Sequence, residues 1–169
     1  MAFLLSALAF SAAGFADTLL PRYQTFVVSA QIVAGCGVVG GGAGNGLDFG
    51  TLDFGTYPAV ATGQSNATSS GSTLQIECSP GTTLMVSIDG GMHSTGGNTQ
   101  RNLANANTQL IGYRLYADAA HTSAFPVGQA VSIPVSGVIS LPIYGSVALQ
   151  GGSAPAGTYT DTAQVILSY

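Results

Sequence analysis

The sequence contains no lysine, and its three arginines, Arg22, Arg101 and Arg114, are its only permanent cations. Charged residues make up 6% of the 169, against roughly 25% in ordinary soluble domains. A protein that binds nucleic acid by neutralising phosphates needs many Lys and Arg to release counterions, so that class is excluded. A polybasic membrane-surface protein fails for the same reason. Seven acids against three cations leave a net charge of −4, which is mild and names no partner. Also missing is any run of about 20 apolar residues able to span a bilayer. Helical periodicity is absent beyond the first residues. What is present is neutral polarity: 24 glycines and many Ser, Thr, Asn and Gln in a chain that is 46% hydrophobic. That mixture supports one buried core and argues against disorder. A surface of hydroxyls and amides suits a protein packed against copies of itself outside the cell.

Residues 1–16 form an apolar run that ends in Gly14-Phe15-Ala16, a small-x-small cleavage pattern before Asp17. The run lacks a positively charged start but reads as a signal peptide, so the mature chain is expected to begin near Asp17 in an oxidising compartment. The two cysteines, Cys36 and Cys78, then read as a disulfide. Neither could build a zinc site with His93 or His121, which lie in unrelated segments.

Downstream, short alternating runs separated by Gly, Pro, Asn and Ser clusters carry the all-β signature. Strands are expected over 25–34, 73–78, 83–89, 109–117, 130–135, 138–147 and 158–169, with Ser79-Pro80-Gly81 as a turn. Pro134 and Pro142 suit edges or bulges. Residues 35–46, 62–72 and 90–100 read as long polar or glycine-rich loops. The repeat Asp48-Phe-Gly-Thr51 and Asp53-Phe-Gly-Thr56, with its period of five, reads as a bulged strand rather than a solenoid. Seven or eight strands at this spacing predict a β-sandwich.

No catalytic motif survives inspection. The Asp-Phe-Gly pairs stand without the other kinase elements, and the glycines at 40–46 lack the Lys-Ser/Thr ending of a phosphate cradle. His93 and His121 read as exposed loop residues with no nucleophile motif beside them. Asp48, Asp53, Glu77, Asp89, Asp118 and Asp161 are scattered singly, with Asp89 and Asp118 in turn contexts. Asn66-Ala67-Thr68 is a weak glycosylation match.

Eight segments in order carry a resemblance. They are Cys36; Phe49-Gly-Thr-Leu-Asp-Phe-Gly55; Leu74-Gln-Ile-Glu-Cys78; Val86-Ser-Ile-Asp-Gly-Gly91; Arg101-Asn-Leu103; Ile111-Gly-Tyr-Arg-Leu-Tyr-Ala-Asp118; Pro142-Ile-Tyr-Gly145; and Pro155-Ala-Gly-Thr-Tyr-Thr-Asp-Thr162. The chain resembles the spore coat protein U domain family, the subunit domain of Csu-type (archaic) chaperone–usher pili. The resemblance implies an all-β fold, an incomplete immunoglobulin-like β-sandwich (the pilin fold) completed by a donor strand from a neighbouring subunit. In that family a periplasmic chaperone fills the groove first, and the N-terminal extension of the next subunit then replaces it.

On this basis residues 1–16 are a signal peptide, 17–34 a donor-strand extension and 35–169 the pilin domain. Phe26, Val28, Ala30 and Ile32 are the expected donor plugs. The alternative for 17–34 is an ordinary first strand of its own sandwich. Val165, Leu167 and Tyr169 are expected to line the acceptor groove and chaperone edge. Cys36–Cys78 would tie the first strand to the sheet. The implied role is a structural subunit of a surface pilus for attachment and biofilm formation, exported through the periplasm. Its implied partners are identical or related subunits, the chaperone and an outer-membrane usher. No catalytic residue, metal, cofactor, nucleic acid or membrane span is expected. A secreted spore- or cyst-coat protein and a tip adhesin are the rivals; a hydrolase would need a carboxylate pair or triad that the sequence does not display.

Overall fold

The computed structural model describes residues 23, 25–39, 49–70, 74–135 and 137–169. The expected leader, Arg22, Asp48 and the glycines at 40–46 therefore lie outside the described residues. The chain divides into two units, Met1–Ile32 and Val33–Tyr169. In the first, residues 25–32 carry no regular secondary structure. Their apolar side chains are open to solvent, Phe26 at 84% and Ile32 at 96%.

The second unit contains ten described strands: β1 (Cys36–Val38), β2 (Thr62–Thr68), β3 (Gln75–Cys78), β4 (Thr83–Ile88), β5 (Arg101–Ala104), β6 (Leu110–Tyr116), β7 (Val131–Pro134), β8 (Gly137–Ser140), β9 (Tyr144–Gln150) and β10 (Val165–Ser168). All ladders are antiparallel, in the orders β1-β3-β8, β10-β4-β7 and β2-β9-β6-β5.

The first two ladders continue each other. Gln75 pairs with Ser140, Cys78 with Gly137, Thr83 with Pro134 and Val86 with Val131. Thus β3 and β4 lie along one returning strand that β7 and β8 share, and β1 and β10 lie on their other side. The Ser79-Pro80-Gly81 turn forms as expected, with Thr82 N–H donating to Ser79 O at 3.1 Å and Gly81 at φ 81°. It does not fold β3 back onto β4. It is a jog within one long line of pairing, because both flanking runs find partners on the same returning strand.

Alternation places Leu84, Val86 and Ile88 on the inward face of β4, where each is fully buried. They meet Tyr113, Leu115 and Val147 from β6 and β9 in a single core cluster, which makes the two layers a sandwich.

Several expected elements differ: residues 25–34, expected as a strand, carry no regular secondary structure, and β1 forms inside the expected loop 35–46. Residues 62–68 form β2 rather than loop, an edge strand of polar residues that pairs with β9 from Thr62↔Gln150 to Thr68↔Tyr144. The expected strand 138–147 is two strands, because Leu141, Pro142 and Ile143 carry the chain across to the other layer. Of the expected strand 158–169, only Val165–Ser168 forms a ladder.

Candidate functional site

A cleft of about 960 Å³ opens into the sandwich interior. One wall is residues 49–61 and the other is 154–165; Leu103, Ile111, Leu115, Val147 and Leu149 form the floor. Burying these apolar faces would be favourable, at about 25 cal/mol per Å² covered.

The first wall contains the second Asp-Phe-Gly-Thr copy, which pairs in no ladder and turns locally, Gly55 N–H donating to Asp53 Oδ1 at 2.8 Å with Gly55 at φ 89°, and so is not the bulged strand expected. Thr51 and Ser70 exchange main-chain hydrogen bonds at 2.7 and 2.9 Å. The Ser65 hydroxyl donates to Phe54 O at 2.8 Å and shares a hydrogen bond with the Tyr57 hydroxyl at 3.0 Å. Leu52 and Phe54 then lie against Gly145, where a Cβ would overlap Leu52. That close approach explains a glycine inside β9.

The second wall is pinned by polar groups. Thr160 and Ala104 exchange main-chain hydrogen bonds at 2.9 Å, joining the wall to β5. The Asp161 carboxylate, only 2% exposed, accepts from the Tyr113 hydroxyl at 2.8 Å, from His93 Nδ1 at 3.0 Å and from His93 N–H at 3.2 Å. Burial raises the Tyr113 pKa well above its usual value, and the hydrogen bond to Asp161 and that group's charge push the same way. Gly91 sits under the Asp161 carboxylate at φ 74°, and a Cβ there would collide with it. Asp89 holds the segment's next turn, its Oδ1 accepting from Gly91 and Gln164 N–H at 2.9 Å each.

Beside this knot Arg101 is buried. Its guanidinium donates to Ile88 O at 2.6 Å, Asp89 O at 2.7 Å and Phe125 O at 2.8 Å. Burial lowers its pKa, while Tyr113, Asp89 and Asp161 act in the opposite direction. The side chain serves the fold by satisfying Asp89 O and Phe125 O and by adding a second donor to Ile88 O, which also accepts from Gly128 N–H at 2.8 Å.

Of the acceptor residues expected from sequence, Val165 lines the cleft. Leu167, two positions on, is half-buried against the core. Tyr169 is 69% exposed, is not among the cleft's lining residues, and stacks its ring beside Gly35. Beyond β4, β10 has no ladder partner among the described strands. Phe26, Val28, Ala30 and Ile32 are exposed in the first unit. Cys36 and Cys78 form a disulfide between directly opposed positions of β1 and β3.

Neither histidine is the exposed loop residue expected. His93 is held by Asp161, as above. His121, at φ 54°, packs edge-on against Tyr116 at a ring separation of 4.7 Å, and its Nε2 is buried without a partner. Asp118, expected in a turn, accepts from Ser123 N–H at 2.6 Å and Thr122 N–H at 3.1 Å, and these bonds lower its pKa. Apart from Val165, neither wall nor any floor residue is among the site residues expected from sequence; the doubled Asp-Phe-Gly-Thr is the one local signal that points to the first wall.

Residues 22–166 match the family model described as the Spore Coat Protein U domain. "Protein U" of Myxococcus xanthus is 28% identical over 147 residues, which covers 81% of this chain and 79% of that one. Among solved structures, a chain of the CsuC–CsuE chaperone–tip adhesion subunit pre-assembly complex from the archaic chaperone–usher Csu pili of Acinetobacter baumannii matches at TM-score 0.45 and 21% identity. That match covers 82% of this chain and 40% of the other, so the chain spans less than half of that relative's length. The P pilus rod subunit PapA matches at TM-score 0.46 and 17% identity, covering 79% of this chain and 98% of its own. Both TM-scores lie below 0.5, and the assignment rests on the matched sequence instead. The chain belongs to the Spore Coat Protein U domain family.

Proposed function

We propose that this chain is a structural pilus subunit that polymerises by donor-strand exchange into a surface fimbria for attachment and biofilm formation. The observation that carries the reading is the apolar cleft beside the unpaired edge of β10. A strand laid there would gain main-chain hydrogen bonds from the edge, and its alternate side chains would enter the cleft. The alternating apolar residues Phe26, Val28, Ala30 and Ile32 of another copy have the pattern such a strand needs, and in this copy they are exposed. Val165 and Leu167 are the acceptor groups on β10, with Tyr169 at its end.

An open edge over an apolar cleft is also an aggregation hazard. A periplasmic chaperone that occupies the cleft until an outer-membrane usher presents the next subunit answers that hazard. This route delivers the chain to the cell surface. A second reading, a secreted coat protein that does not polymerise, is favoured by the description of the family, the Spore Coat Protein U domain.

The test compares the chain from residue 17 with the same chain from residue 34, both oxidised, by size exclusion and electron microscopy. Fibres from the long form, with a monomeric short form that takes up a synthetic 18–34 peptide, are the expected result. Two monomers of equal melting temperature would overturn the proposal and leave the coat reading.

A further inference from the structure

The four-stranded sheet β2-β9-β6-β5 has a second face, turned away from the cleft. Directly opposed pairs place Gln64 beside Ala148, Gly112 beside Asn102, and Arg114 beside Ser146 on that face. Ala148 has little side chain and forms the low centre of a trough of about 640 Å³, while Gly112 beside it is covered by the Gln100 amide, 3.0 Å from where a Cβ would stand. Gln64, Gln100, Gln150 and Arg114 stand around it.

None of the trough's lining residues is acidic, in a chain with seven acids and three cations. Arg114 is exposed, and no ion pair or hydrogen bond ties its side chain to the described residues. The side-chain amides of Gln64 and Gln150 are likewise unpartnered there. Arg101, one strand away, shows the contrast: all of its capacity goes to the chain's own carbonyls. Arg114 offers the same fork of N–H donors to solvent.

The chemistry narrows the ligand. A guanidinium pairs with a planar carboxylate through two parallel hydrogen bonds. Primary amides both donate and accept, which suits sugar hydroxyls. A protein partner would draw on a broad apolar centre, and here the exposed apolar groups are only Ala148 and, at 40% exposure, Leu110. A polyphosphate would require several cations. We propose that this trough binds a carboxylate-bearing oligosaccharide, Arg114 holding a uronate carboxylate and Gln64 and Gln150 bonding its hydroxyls. This site is separate from the cleft and does not depend on donor-strand exchange.

The experiment is calorimetric titration of the full chain with trigalacturonate and with the neutral trimer maltotriose, with hydrogen exchange to locate the contact. Trigalacturonate should bind, R114Q should weaken it by about ten-fold or more, and R114K should fall between. Maltotriose should bind far more weakly, and protection should appear on β2, β6 and β9. An unchanged melting temperature for R114Q shows that the loss is not unfolding. Equal binding of the two trimers, equal binding by R114Q, or protection elsewhere would each overturn the proposal. So would self-association that depends on Arg114 in a chain that does not bind trigalacturonate, since the face would then be a contact between copies.

Discussion

Leu84 and Leu149 are both inward-facing leucines of the same sandwich, yet Leu84 is 1% exposed while Leu149 is half-buried at the cleft. Around Leu84 the interior is closed, with Val86 and Ile88 fully buried and Arg101 closing the carbonyls at the end of β4. Around Leu149 the same apolar face is left uncovered between two pinned wall segments. The closed part supplies the stability of the isolated subunit; the open part leaves apolar area uncovered, which on the proposed reading a donor strand would bury.

The largest effect should come from the closed part. R101A leaves the carbonyls of Asp89 and Phe125 without their Arg101 donor in the interior, at about 1–3 kcal/mol each if neither relaxes, and takes from Ile88 O one of its two donors, Gly128 N–H at 2.8 Å being the other. A net loss of about 4–5 kcal/mol is expected, and urea unfolding of the monomer would show it. Next is the disulfide. Closing a chain separation of 42 residues constrains the unfolded state by about 4 kcal/mol, so the C36S/C78S double variant should lose nearly as much. Reducing agent should lower the wild-type melting temperature and leave that variant unaffected.

The leucine pair sharpens the contrast with a single kind of truncation. L84A should cost about 3 kcal/mol, from lost transfer energy and the cavity it leaves. L149A removes a side chain already facing an open cleft, so it should cost only about 1 kcal/mol in the monomer. Its cost should rise in any assembled form, where a donor strand would cover it. Equal losses in the monomer would mean that the cleft is closed in solution.

How much of this could be read from the sequence follows the same division. The 83–88 run was legible because one face is buried throughout and the alternation is strict. The disulfide was legible from count and compartment. β2 was not, because an edge strand with polar residues facing solvent has no apolar period to detect. β5 was missed because Arg101 and Asn102 look like surface residues until the carbonyls and loops that satisfy them are in place. The split of 138–147 at Pro142 depends on which layer the chain joins next. The cleft itself is a long-range property: His93 and Asp161 are 68 residues apart, and nothing local announces that they meet.

The smallest effect concerns the phenol that joins floor to wall. Tyr113 has a folded-state pKa raised above its unfolded value, by burial first and by Asp161 second. The stability that its proton provides is therefore complete below about pH 10, the usual phenol range, and is lost as pH rises toward the folded value. Y113F removes the hydrogen bond to Asp161 and should cost about 1 kcal/mol at neutral pH. It should also flatten the alkaline limb, so the wild type and the variant converge in melting temperature above pH 10. A gap that stays constant into alkali would mean that the phenol never titrates with unfolding. In that case Asp161 holds the wall through His93 alone, and the wall adjoining the cleft is tied less firmly to β6 than the hydrogen bonds suggest.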